Sequence, residues 1–158
     1  MLTIGAMVLL SILILRINNT FLTTGSVMND TKFGLLATSL AMSQMEEITN
    51  KAFDQKTNSS SVNSTGDLTK VDSLGRDSGE VYPNFNDIDD YNGYTKEDST
   101  MPSAVFDISC SVVYVKQNNL NIASTSRTWD KKITVTVTSK SMADTVSISS
   151  IYSYWVFR

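Results

Sequence analysis

"MLTIGAMVLLSILILRINNTFLTTGSVMNDTKFGLLATSLAMSQMEEITNKAFD", residues 1–54, decides the fold. Residues 1–17 are apolar on every side, the pattern of a helix buried all round, in lipid or among other helices. The run is shorter than the ~20 apolar residues of a full membrane span, and Arg16 interrupts it. It shows neither the basic n-region nor the small-residue cleavage site of a secretory signal. Asn18, Asn19, Thr23, Thr24 and Gly25 follow, within "NNTFLTTGS" (18–26). Each of these residue types disfavours helix, through side-chain competition, a stiff χ1 or backbone entropy, so a loosened or unwound helix is expected here. The plainer reading is that they cap one helix and start another. From Val27 the helical period returns. Phe33, Leu36, Ala37, Leu40, Ala41, Met45, Ile48 and Ala52 share one side, and Ser39, Ser43, Glu46, Glu47 and Asn50 take the other. That spacing predicts an amphipathic helix ending near Phe53 or Asp54. Run together, the two pieces reach about 80 Å at about 1.5 Å per residue. A compact domain of the remaining size is only about 25–30 Å across, so the apolar end must project from it.

Working outward, residues 55–104 hold few apolar anchors. "KTNSSSVNSTGD" reads as polar loop. "VYPNFNDIDDYNGYTKED" reads as a structured loop, because Tyr82, Phe85, Ile88, Tyr91 and Tyr94 can be buried and a disordered tail would carry fewer aromatics. From Ala104 the period becomes two. Phe106, Ile108, Cys110, Val112 and Tyr114 alternate with Asp107, Ser109, Ser111 and Val113, and Ile133, Val135 and Val137 alternate with threonines in "KKITVTVTS". "DTVSISSIYSYWVF" begins a third run at Val146 and Ile148, with a slip of phase at Ser149–Ser150 that predicts a bulge or strand end. Three such runs read as an antiparallel meander with one face on the amphipathic helix. The fold class is therefore α+β, helix first and sheet after. Four regions result: 1–26, the apolar segment with its loosened end; 27–54, the amphipathic helix; 55–104, a variable loop region; and 105–158, the antiparallel sheet.

The composition narrows the function. A chain of 158 residues is one domain by size. Ser and Thr make up about a quarter of it, well above ordinary usage. A net charge of -3 and thirteen scattered Lys and Arg residues argue against nucleic acid, which needs clustered cations. The absence of histidine removes the commonest general base and a frequent metal ligand. Cys110 is the single cysteine, so neither an internal disulfide nor a cysteine-rich zinc site can form. No nucleophile elbow, zinc-protease, P-loop or dinucleotide motif occurs. The chain reads as a non-enzyme without a cofactor.

The layout of a projecting apolar helix, its amphipathic continuation on an antiparallel sheet and a variable loop between them resembles the type IV pilins and pseudopilins. "LATSLAMSQMEEITNKAFD" is similar to the helix of minor pilins and pseudopilins, with a small-residue and leucine stretch before paired glutamates. "FNDIDDYNGY" is similar to a loop in minor pilins of the mannose-sensitive haemagglutinin type, and "KKITVTVTS" fits the family's sheet. The resemblance implies a subunit made with a short basic leader that a prepilin peptidase removes, leaving Met1 as an N-methylated mature terminus. It implies residence in the inner membrane, then extraction by pilus assembly machinery into a helical homopolymer at the cell surface. Met1, Leu2, Ile4, Met7, Val8, Leu10, Ile12, Leu13, Leu15 and Ile17 would pack in the filament core. One departure stands out: most members carry, at the place of Gly5, a glutamate that pairs with a neighbour's N-terminal amine. Some tip-located minor pseudopilins lack it too. The alternatives are therefore a minor pilin or pseudopilin that primes or tips a pilus or type II secretion machine, and a membrane-anchored binding module.

Other residues carry a functional and a plain reading together. Asp87, Asp89, Asp90 and Asn92 set oxygen ligands close together, as a Ca²⁺ site requires, yet Asx turns shaping a loop use the same residues. Arg16 is either a partner for a carboxylate or carbonyl of a neighbouring helix or a side chain snorkelling to headgroups before assembly. Glu46 and Glu47, adjacent on a helix and so not facing one another, suit a solvated face or a subunit contact. Asn18, Asn29, Asn58 and Asn63 lie in Asn-x-Ser/Thr sequons. Cys110 suits the inner face of the sheet. Trp129, Tyr152, Tyr154 and Trp155 suit core or inter-subunit packing.

Overall fold

The computed structural model describes residues 2–154. One helix, α1 (Leu2–Thr49, 48 residues), precedes a single antiparallel sheet of β1 (Thr95–Asp98), β2 (Phe106–Lys116), β3 (Asn119–Ala123), β4 (Asp130–Thr138) and β5 (Val146–Ser153). The strand order is β1-β2-β4-β5, and β3 folds back on the end of β2. The fold is α+β, with α1 lying across β4 and β5. The core forms where two periods meet. From β2 come Phe106, Ile108, Cys110, Val112 and Tyr114, and from β4 Ile133, Val135 and Val137, all buried. Against them α1 turns Ala37, Ala41 and Ile48, buried, with Phe33, Leu36, Leu40 and Met45 partly so. Two alanines at the centre of this face let the helix lie close to the strands, and Phe33 meets Phe106 edge-on at 6.5 Å.

The expected loosening at Asn18, Asn19, Thr23, Thr24 and Gly25 is corrected: α1 runs through them unbroken. The hydroxyls of Thr20, Thr23 and Thr24 donate to the carbonyls of Arg16, Asn19 and Thr20 at 3.0, 2.9 and 2.8 Å. The threonine hydroxyls expected to compete with the helix are satisfied within it. The helix also ends at Thr49, short of Phe53, because Asp54 is committed to a capping box. Its carboxylate accepts from the Lys56 N–H, and its own N–H donates to Thr57 Oγ1.

The sheet has two strands beyond the three expected. β1 lies inside the stretch read as loop, and β3 inside a connection. β3 is exposed along its whole length, so no alternation marks it. There is no slip at Ser149–Ser150, since the β4–β5 register runs evenly through Ile133 and Ser150 and through Thr134 and Ser149. Ser150 simply takes an inward place and Ile151 an outward one.

Residues 55–94 are irregular but anchored, as the aromatic content required. Phe85 and Tyr91 are buried and meet edge-on at 4.9 Å, and Tyr82 stacks on Tyr94 at 5.0 Å. Gly93 turns with φ +78°, a conformation side chains rarely adopt, and its N–H donates to the Cys110 carbonyl at 3.0 Å. The Tyr82–Pro83 peptide is cis.

Candidate functional site

Two regions hold the residues singled out from the sequence: the acidic loop beside the sheet and the bare part of α1.

In the loop, the alternation of β4 puts Lys131 on the same inward face as Ile133 and Val135. It is fully buried between the rings of Phe53 and Tyr114, with Nζ 4.4 and 4.9 Å from their centroids. The ammonium pairs with Asp89 Oδ1 at 2.6 Å and Asp54 Oδ2 at 3.0 Å, and donates to the Phe53 carbonyl at 2.8 Å. Three donors thus meet three acceptors, which is what a buried ammonium requires. Burial opposes the charge on Asp54. Lys131 and the N–H groups of Lys56 and Thr69 outweigh it, and together hold Asp54 below the usual carboxylate value.

Burial pushes Asp89 up to about 7 despite its ammonium neighbour. Its second oxygen, Oδ2, is buried without a partner. Burial, and then the charges of Asp89 and Asp90, push Asp87 up to about 8.

The four residues expected to ligate calcium are engaged within the protein. Asp87 accepts from the N–H groups of Asp89 and Asp90, and Asp90 from those of Asn86 and Asp77. Asp89 is held by Lys131. The Asn92 amide donates to the Leu74 carbonyl at 2.9 Å and accepts from the Val112 N–H at 3.0 Å. The four side chains therefore face separate protein partners, and among the described residues no group of acidic side chains converges to hold a metal. In this arrangement these residues shape the loop and fasten it to β2 and β4.

Raised carboxylates often mark catalysis, but Asp87, Asp89 and Lys131 are sealed at 2% exposure or less. The groove of about 560 Å³ bordered by Arg76, Tyr82, Phe85, Asn92 and Tyr94 takes in Asp90 but neither Asp87 nor Asp89.

Glu47 also departs from expectation. It is no solvated side chain: the hydroxyls of Tyr91 and Tyr82 donate to it at 2.8 and 3.4 Å, so it clamps the loop to α1. Glu46 is exposed. Cys110 is buried on the inner face as expected, and burial pushes its thiol up to about 12. Trp129 stacks on Tyr154 at 5.3 Å. Trp155 lies outside the described residues.

The second region is the projecting rod. Between residues 4 and 22, twelve large apolar side chains are exposed by 46 to 74%. They include eight of those expected in a filament core: Ile4, Met7, Val8, Leu10, Ile12, Leu13, Leu15 and Ile17. Met1 and the side chain of Leu2 lie outside what the structure describes. Leu9, Ile14, Phe21 and Leu22 are as bare and extend the surface. Among the described residues, α1 is long and apolar enough to cross a membrane. Comparison of the chain with protein-family models, with curated proteins and with solved structures finds no match.

Proposed function

We propose that this chain is a structural subunit of an extracellular type IV pilus-like filament, assembling helically through α1. The observation that carries the proposal is the bare rod. Covering twelve apolar side chains already half exposed is worth on the order of 10–20 kcal/mol per chain before the cost of association. The head cannot supply that cover, because its own core is complete without residues 4–22.

Two surroundings cover such a rod: a bilayer first, then parallel copies of itself. The resemblance of the helix and the acidic loop to pilins supports that sequence of events. It also brings the expected partners: the inner membrane, a prepilin peptidase, the pilus assembly machinery and other copies of the chain. Packing of one face on a different face of the next copy does not close, and it builds an open helical fibre at the cell surface.

Electron microscopy of purified full-length chain after detergent removal tests this. Regular fibres whose subunit mass matches the chain are expected, and a dispersed monomer would overturn the reading. Gly5 favours a second reading, a minor or tip subunit. In that case the fibres would be made of another chain, with this one at low copy number. A fixed membrane anchor is the third reading. It predicts full function when residues 1–25 are exchanged for an unrelated anchor.

A further inference from the structure

Lys131, Asp54 and Asp89 bring one amine and two carboxyl groups together where water does not reach, at exposures of 0, 0 and 2%. The amine nitrogen lies 2.6 Å from Asp89 Oδ1 and 3.0 Å from Asp54 Oδ2. With the length of a carbon–oxygen bond added, Nζ is at most about 3.9 Å from the Asp89 carboxyl carbon, close to the ~3–3.5 Å from which a nucleophile attacks. The rings of Phe53 and Tyr114, with centroids 4.4 and 4.9 Å from the nitrogen, close the space around it.

The two carboxyl groups are held differently. Asp54 accepts from the N–H groups of Lys56 and Thr69 and from the Thr69 hydroxyl, each at 3.0 Å. Those donors keep it in place and satisfied whatever happens at Lys131. Among the described residues the Asp89 carboxyl accepts from Lys131 alone, and its Oδ2 is buried without a partner. A buried ion pair carries a desolvation cost on both members, and an orphaned buried oxygen adds to it. Condensing the two groups into an amide removes both charges and one oxygen together. The amide N–H that remains still has the Phe53 carbonyl, 2.8 Å from the nitrogen, as an acceptor. Exclusion of water favours the amide, because water is the product of its formation and the reagent of its hydrolysis.

We propose that Lys131 and Asp89 join through an amide bond between Nζ and the carboxyl carbon, with Asp54 carrying the protons. The step balances without a further reagent. One proton passes from the ammonium to Asp54 Oδ2 and frees the lone pair of Nζ. The nitrogen attacks the Asp89 carboxyl carbon, and the C–N bond forms. A second proton leaves the nitrogen as one carbon–oxygen bond breaks, and that oxygen departs with both protons as water. The nitrogen keeps its third proton, and Asp54 ends as it began. The new bond ties β4 to the acidic loop covalently. The ion pair is the state before condensation, and the cluster's responses to pH and denaturant belong to the unlinked chain. The linkage lies wholly within the head and stands independently of the filament reading.

The test is proteolysis and mass spectrometry of the full-length wild-type chain, purified in detergent and sampled at intervals after synthesis. A branched peptide that holds both Asp89 and Lys131, one water lighter than its two parts, is expected to accumulate. Lys131→Arg keeps the positive charge but offers no attacking amine, and its chain yields the two peptides separately. Asp54→Asn slows the accumulation by about a hundredfold, the scale of a lost proton carrier. Cooperative melting is the folding control for each variant. Separate peptides from a folded wild-type chain, or a branch through Asp87 or Asp90 in place of Asp89, overturn the proposal whatever the variants do. Accumulation at the wild-type rate in a folded Asp54→Asn chain overturns the part given to Asp54.

Discussion

Lys131 shows how one buried charge commits a whole region. Its ammonium joins the start of the irregular segment, through Phe53 and Asp54, to the acidic loop through Asp89 and to β4 by its own backbone. Replacing it by Met leaves two carboxylates buried and unpaired, and the expected loss is about 3–5 kcal/mol in urea unfolding. Adding Asp89→Asn to that variant recovers part of the loss. Protonation gives the same cluster a pH signature. Asp87 and Asp89, raised to about 8 and about 7, hold protons when folded at pH values where an ordinary carboxylate, near 3.8, has released them. The folded chain therefore binds more protons than the unfolded one between about pH 4 and pH 8, and stability falls as pH rises through that window. The melting temperature is expected to be higher at pH 5 than at pH 8 by roughly 5 °C, with Asp87→Asn flattening the difference. Below about pH 4 the sign reverses, as Asp54, held under its ordinary value, is protonated and leaves Lys131.

At the level of elements, α1 is one rod where two pieces were expected. Asn and Thr weaken a helix when their side chains compete for backbone groups. Here the threonines bond one turn back and stop competing. Such bonding leaves no trace in composition, which is why the break looked real. Gly25 is the remaining weak point, and a Cβ added there meets nothing within 4 Å. Gly25→Ala should stabilise the local helix by up to about 1 kcal/mol, slowing amide exchange across residues 18–26 by roughly fivefold. Faster exchange there would mean that the segment does not behave as continuous helix. The strands that alternate, β2 and β4, were legible because one face is buried. β3 and β1 were not: the first buries no side chain, and the second is short and charged. Lys131 was legible in principle. Its parity with Ile133, Val135 and Val137 places it inward, and an inward lysine demands an acidic partner. For Asp87, Asp89, Asp90 and Asn92, proximity in sequence did not show which way the four carboxyl and amide groups turn.

For the molecule as a whole, head and rod divide the work. The core draws on α1 from Phe33 onward, and nothing in it comes from residues 4–22. Removing residues 1–25 is therefore expected to leave a folded monomer in water without detergent. Size exclusion reads the monomer, and its melting temperature should lie within about 4 °C of the intact chain in detergent. Aggregation or unfolding of that fragment would show that the rod supports the head.

The clamp of Glu47 by the hydroxyls of Tyr82 and Tyr91 has a mechanical consequence. A pull along the axis of α1 enters the head through its last turns and loads that contact in shear, together with the packing of Ala41 and Ile48 on the strands. Side-chain contacts can slip and re-form in small steps, whereas the ladder of backbone bonds between β2, β4 and β5 stays out of the line of force. The joint between rod and head is in effect a friction coupling, and the tyrosine pair is its brake.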